Sequence, residues 1–136
     1  MTELFPWKET YKVNVKELDG HHQELVRQVN ILHTAMVTGK GKETLGQILS
    51  KLLGYTSYHF AKEEELMTTT GYPDLAAHKL QHQELTGGVS EFQQEFMAGR
   101  AALSIEVMDF LKAWLVGHIL GADKKYGPFL NSKGVL

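Results

Sequence analysis

The chain has 136 residues, 43% hydrophobic and 22% charged, with 14 basic and 16 acidic side chains, a formal net charge of -2, seven histidines and no cysteine. A single domain is expected, since a chain of this length buries about 68–70% of its unfolded surface around one core. The lack of cysteine excludes disulfide scaffolds, thiolate-held zinc or iron–sulfur clusters and thiol catalysis, so any metal must be held by nitrogen and oxygen.

Charges of both signs are interspersed and the longest basic cluster is Lys124-Lys125, which gives no footprint for nucleic acid. The longest apolar run is Ala113 to Val116, and the first twenty residues lack the basic and apolar regions of a signal peptide. A cytoplasmic protein without membrane insertion is expected.

Residues 1–18, with Trp7, Tyr11, Val13 and Val15, read as an extended arm. Asp19 is placed as the N-cap of a first helix over roughly 19–38, in which positions 22, 25, 29, 32/33 and 36 recur at helical spacing until Gly39-Lys40-Gly41. A second stripe, Leu45, Ile48, Leu52, Tyr55, His59, Glu63 and Met67, gives a helix over roughly 42–67, stopped by the run from Thr68 to Pro73. Asp74 is placed as the cap of a third helix, roughly 74–98, whose stripe is Leu75, His78, His82, Leu85, Val89, Phe92 and Phe96. Gly87 and Gly88 oppose that helix by about 1 kcal/mol each relative to alanine. The fourth helix, roughly 103–120, carries Val107, Leu111, Trp114, Leu115 and His118, and about 121–136 is a C-terminal tail. No period-two strand of any length competes with these four helices, and the loops are short. The expected fold is all-α: an up-down-up-down antiparallel four-helix bundle over about 19–120, with an extended N-terminal arm, residues 1–136 forming one domain.

The spacings His59-x-x-x-Glu63 and His78-x-x-x-His82 each put two ligand-type side chains on one helix face, about 6 Å apart along the axis. His118 and Asp123 are five apart. An ideal helix would leave them about 140° out of phase, so the fourth helix must widen by a π-type turn or end there, and Gly121 makes such a departure feasible. In the expected bundle the start of the first helix, the end of the second, the start of the third and the end of the fourth share one end. His22, His59, Glu63, His78, His82, His118 and Asp123 therefore converge on one layer. A lone core histidine is more often hydrogen-bonded than a ligand, but burying five imidazoles and two carboxylates together would cost many kcal/mol without a cation. The remaining histidines fall outside this layer: His21, about 100° from His22, is expected as a solvent-facing or rim residue, and His33, about 16 Å further along the axis, as a partly buried, hydrogen-bonded structural residue. Glu64 and Glu65 read as a solvated face, and Phe92, Phe96 and Trp114 as core.

Seven donors exceed what one tetrahedral zinc takes and suit two six-coordinate metals with bridging carboxylates. Imidazole with carboxylate favours iron among the abundant candidates. The Glu-x-x-His pairs of di-iron oxidase bundles are missing. A site with five histidines to two carboxylates is less anionic, which suits holding O2 over attacking a substrate with it.

Several local motifs resemble the hemerythrin family in its bacterial single-domain form: His22 after Asp19, Tyr58-His59-Phe60 with Glu63, Gly71-Tyr72-Pro73 before His78 and His82, and Trp114-Leu115-Val116-Gly117-His118-Ile119 with Asp123 and Tyr126. The resemblance spans essentially the whole chain. It implies that His78, His82 and His118 saturate one iron, that His22 and His59 hold a second with an open position, and that Glu63 and Asp123 bridge the two beside an oxo or hydroxo bridge. It further implies that O2 binds reversibly at the open position, taking one electron from each metal and the proton of the bridge. Leu25, Leu115 and Ile119 are the candidate lining of the O2 pocket. The expected function is O2 storage, delivery or sensing without turnover, with an enzyme acting on peroxide or nitric oxide as the alternative. The expected partners are O2, an O2-using enzyme or a small ligand such as NO, and the chain is expected to be a monomer or weak homo-oligomer.

Overall fold

The computed structural model describes residues 6–99 and 105–136. Among these residues the protein is all-helical: a 3-10 turn at Glu9–Tyr11, then α1 (Lys16–Val37), α2 (Lys42–Thr70), α3 (Leu75–Met97), α4 (Ile105–His118), a π turn (Ile119–Asp123) and α5 (Lys124–Ser132). The first two residues of the expected fourth helix and the first five of the arm lie outside the described residues.

Helix α1 begins at Lys16, three residues before the expected cap, because Val13 and Val15 are both buried and the chain turns as soon as Val15 is seated. Asp19 is thus not the N-cap. It lies inside the first turns, where its carboxylate accepts from the backbone N–H of Val13 (2.7 Å) and Asn14 (3.2 Å), tying the incoming arm to the helix. Asp74 does occupy the N-cap position of α3, although its side chain makes no capping bond. Helix α2 runs three residues past its expected end. The hydroxyls of Thr68 and Thr70 bond back to the carbonyls of Glu64 and Leu66, and the helix closes on Gly71 at φ 75°. The Tyr72 N–H then reaches the Met67 carbonyl at 2.9 Å, a left-handed cap that glycine adopts without steric cost. Helix α3 passes unbroken through Gly87 and Gly88.

Helix α1 packs on α2 and α4, and α2 packs on α3 and α5. Their apolar stripes form one large core around Leu25, Val29, Leu32, Leu49, Leu52, Phe60, Met108, Leu111, Leu115 and Ile119. A second, smaller core gathers Val13, Val15, Leu18, Met67, Tyr72, Tyr126 and Leu130. The C-terminal segment, expected as a tail, is helical over Lys124–Ser132 because Tyr126 and Leu130, one turn apart, give it an apolar face for this second core. Between the two cores, along both α1 and α2, lies a layer of buried polar side chains.

Candidate metal centre

Four helices and the π turn deliver that layer. His22 sits on α1 between Leu18 of the small core and Leu25 of the large one. On α2, His59 and Glu63 lie one turn apart between the same two cores, and on α3 His78 and His82 do the same. His118 ends α4 and Asp123 ends the π turn. The wider i to i+5 repeat of that turn supplies what a 3.6-residue helix could not, bringing His118 Nε2 to 2.9 Å from Asp123 Oδ1. All seven side chains are buried, and His22, His59, Glu63 and Asp123 are 0% exposed.

Their donor atoms fall into two groups that share both carboxylates. One group is Glu63, His78, His82, His118 and Asp123, the other His22, His59, Glu63 and Asp123, with the atoms of each group within 4.8 Å of one another. On the two-histidine side, His22 Nε2 lies 2.9 Å from Asp123 Oδ2 and 3.5 Å from Glu63 Oε1, and His59 Nε2 lies against the same Glu63 oxygen. On the three-histidine side, His78 Nε2 is 3.2 Å from both Glu63 Oε2 and Asp123 Oδ1, and His82 Nε2 is 3.4 Å from Glu63 Oε2. Each carboxylate thus offers one oxygen to each group.

The donor set passes a direct test for metal. Nε2 of His22, His59, His82 and His118, Oε1 of Glu63 and both oxygens of Asp123 are buried without a hydrogen-bond partner, although they crowd one another. Nitrogen and oxygen lone pairs aimed at a common centre are costly unless a cation sits among them. Without one, protons must serve. Burial disfavours the imidazolium of His22, yet Asp123 and Glu63 override it and hold its pKa up to about 10; the same carboxylates outweigh burial at His78 and raise it to about 9. Conversely, burial would raise the carboxyl pKa values, but the charge of His59 and the close approach of the His22, His59 and His78 rings hold Glu63 well below the usual range. At Asp123, burial and the Glu63 charge push upward and are overcome by His118 and His22, leaving it lowered. The pocket is built for positive charge, and five nitrogens with two carboxylates are donors that iron accepts.

A surrounding layer corrects two sequence expectations. His21 is not at the rim: it is buried, its Nδ1 lies 2.9 Å from Nδ1 of His59, and its ring meets Tyr55 and Tyr58. Burial, reinforced by His59, lowers its pKa. Glu64 is not simply solvated, since its Oε2 lies 2.8 Å from Nδ1 of His82. Packing α2 against α1 and α3 brings these outer nitrogens to partners that spacing along one helix does not reveal. The available signal was adjacency: each of these residues neighbours a ligand-type side chain, and each ring leaves a second nitrogen to satisfy. Glu65 is exposed as expected and His33 is half-buried, while Phe96 and Trp114 lie in the large core with Phe92 packed against it. Phe60 stacks on His82 at 3.8 Å with the rings nearly parallel, and Tyr126 lies beside His78. Burial, then Asp123 and Glu63, raise the Tyr126 pKa well above its usual value, keeping the phenol neutral. Leu25, Leu115 and Ile119 are buried in the same apolar cluster as Phe60. A surface cleft of about 590 Å³ beside Trp7, Arg27 and Ile31 includes none of the seven.

Fold and site together define an all-helical protein with a buried, nitrogen-rich candidate metal centre whose two donor groups share both carboxylates. Residues 13–130 match the family model described as the hemerythrin HHE cation binding domain. The chain is 38% identical over 122 residues to the bacteriohemerythrin of Methylococcus capsulatus, covering 90% of this chain and 92% of that protein. It is 32% identical over 124 residues to the myohemerythrin of Theromyzon tessulatum, covering 91% and 92%. A solved structure of wild-type hemerythrin superposes with a TM-score of 0.88 at 38% identity, covering 93% of this chain and 98% of that one. A leucine-to-alanine variant of hemerythrin gives 0.89 at 36% identity, covering 95% and 98%. The chain belongs to the hemerythrin family. With that membership come a non-haem di-iron centre and O2 as its ligand, a binding function and not catalytic turnover.

Proposed function

We propose that the protein binds O2 reversibly for storage, delivery or sensing, with His78, His82 and His118 holding one iron, His22 and His59 the other, and Glu63 and Asp123 bridging them. The observation that carries this assignment is the pair of donor groups sharing both carboxylates, three imidazoles in one and two in the other. The smaller group leaves a coordination position for a ligand. When bound, the iron pair supplies two electrons to O2 and recovers them on release. The polypeptide keeps that exchange reversible. Leu25, Leu115 and Ile119 line the O2 pocket and exclude water and stray protons, and the neutral Tyr126 adds no charge to the site.

The scaffold in this reading is a single domain: an up-down-up-down antiparallel four-helix bundle with an extended N-terminal arm and a short C-terminal segment. It is supported by the packing of α1 on α2 and α4 and of α2 on α3, and by the meeting of side chains from the start of α1, end of α2, start of α3 and end of α4. The protein acts in the cytoplasm as a monomer or weak homo-oligomer and passes O2 to an O2-using enzyme. No helix among the described residues is long and apolar enough to cross a membrane. The test is spectroscopic. Air admitted to the reduced, iron-loaded protein should produce a visible charge-transfer band that disappears when O2 is removed, at two irons per chain. No band, or failure to recover the reduced form, would overturn the proposal.

A further inference from the structure

His21 is buried one residue from His22, yet its side chain belongs to His59 on the neighbouring helix, Nδ1 to Nδ1 at 2.9 Å. A hydrogen bond between two ring nitrogens holds one proton, so one ring donates and the other accepts. The other nitrogen of His59, Nε2, is buried against Glu63 without a hydrogen-bond partner. If Nε2 is the metal-facing atom it must be unprotonated, and the neutral ring then carries its proton on Nδ1. His21 Nδ1 is therefore the acceptor, and the proton of His21 lies on its own Nε2. An imidazolium at His21 would have no lone pair to offer and would break this bond.

The three-histidine side is built differently. There the outer nitrogen of His82 faces the carboxylate of Glu64 at 2.8 Å, and a carboxylate acceptor draws more strongly on an imidazole N–H than a neutral ring does. We propose that His21 is a positioning residue for the centre: its Nδ1 accepts the Nδ1–H of His59, fixing the tautomer that turns His59 Nε2 toward Glu63. It thereby gives the two-histidine side a neutral outer partner where the three-histidine side has a charged one. The consequence is a built-in asymmetry. His82, facing a carboxylate, would be the more basic imidazole donor and His59, facing a neutral ring, the less basic, so an iron pair held here would meet nitrogen donors of unequal strength on its two sides. Tyr55 and Tyr58 hold the His21 ring in place, with centroids 5.9 and 5.3 Å away.

This inference rests on the ligand assignment above, and its test separates the two. Iron content is measured first, on wild type and on His21→Leu, His21→Gln and His21→Glu, with circular dichroism to confirm folding. In the reduced iron-loaded protein the N–H protons of iron-bound imidazoles give hyperfine-shifted, exchangeable NMR signals. One of these should exchange at least tenfold faster with solvent in His21→Leu and return towards wild type in His21→Gln, whose amide oxygen can accept. His21→Glu should restore slow exchange, which a packing role would not produce, and its charge should lower the reduction potential of the pair. Fewer than two irons in the wild type would overturn the ligand assignment and this inference with it. Two irons in every variant, with unchanged exchange in His21→Leu or no fall in potential in His21→Glu, would overturn this inference alone.

Discussion

Gly127 is where α5 meets the arm, and adding one methyl group there tests how the small core is closed. A Cβ at this position would lie 2.5 Å from the backbone oxygen of Val13, where ordinary contact begins at about 3.4 Å. The obstacle is main chain fixed by the Asp19 bonds to Val13 and Asn14, so it cannot rotate away. In Gly127→Ala, α5 must retreat by most of an ångström, loosening Tyr126 and Leu130 in the small core and the bond from the Asn131 amide to the Asn14 carbonyl, now 2.9 Å. Overpacking costs about 1–3 kcal/mol, and a clash this close with fixed main chain belongs at the upper end, about 2–3 kcal/mol; alanine returns about 1 kcal/mol of helix propensity, leaving a net loss of about 1–2 kcal/mol. For a chain of this size that corresponds to a melting temperature lower by roughly 3–8 °C. Thermal unfolding followed by circular dichroism reads it directly. A variant as stable as the parent, or more so, would show that the approach of α5 to the arm is not a constraint.

Gly88 gives the opposite result, being exposed within α3 with open space where a Cβ would stand; Gly88→Ala should stabilise the protein by about 1 kcal/mol in urea unfolding, and destabilisation would contradict the reading. His59→Ala and His82→Ala should each reduce iron below two per chain, while Glu65→Ala on the exposed side of α2 should not; full loading in either histidine variant would refute the ligand assignment. Stability of the iron-stripped protein should depend on pH at both ends. His22 and His78 are raised from 6.5 to about 10 and about 9, so their contribution is complete below pH 6.5 and is lost as the pH climbs through 9 to 10. Glu63 and Asp123 are lowered, so theirs is present above the ordinary carboxylate values of 4.5 and 3.8 and is lost on acidification. The maximum should therefore fall between about pH 5 and 6.5, with up to about 5 kcal/mol from His22 disappearing on the alkaline side. Denaturation midpoints that stay level from pH 6 to 10 would refute this.

Much of the architecture is written in local patterns. Helical periodicity and the glycine and proline stops mark α1 to α3 to within a few residues, since the same apolar stripe that forms a helix also buries it. The five-residue gap between His118 and Asp123 announces a departure from the regular helix, by a π turn or a helix end, because no regular helix can place both on one side. Asp19 shows the limit of that reading: its type and position suit a cap, but buried Val13 and Val15 start the helix earlier and turn the carboxylate back upon the arm. The C-terminal helix was hidden for a related reason. Two apolar residues one turn apart specify a helix only when a second surface is there to receive them.

The sequence by itself determined which ligand-type side chains share a face within each of α1 to α3, because spacing of three, four and seven is a property of the helix alone. Only the tertiary structure decided what stands behind them. His21 and Glu64 differ from their solvated neighbours by a rotation of a single residue, and which of them meets an imidazole nitrogen depends on how α1 and α3 pack on α2. Contacts within a helix follow from its own repeat, whereas contacts between helices follow from the packing of both.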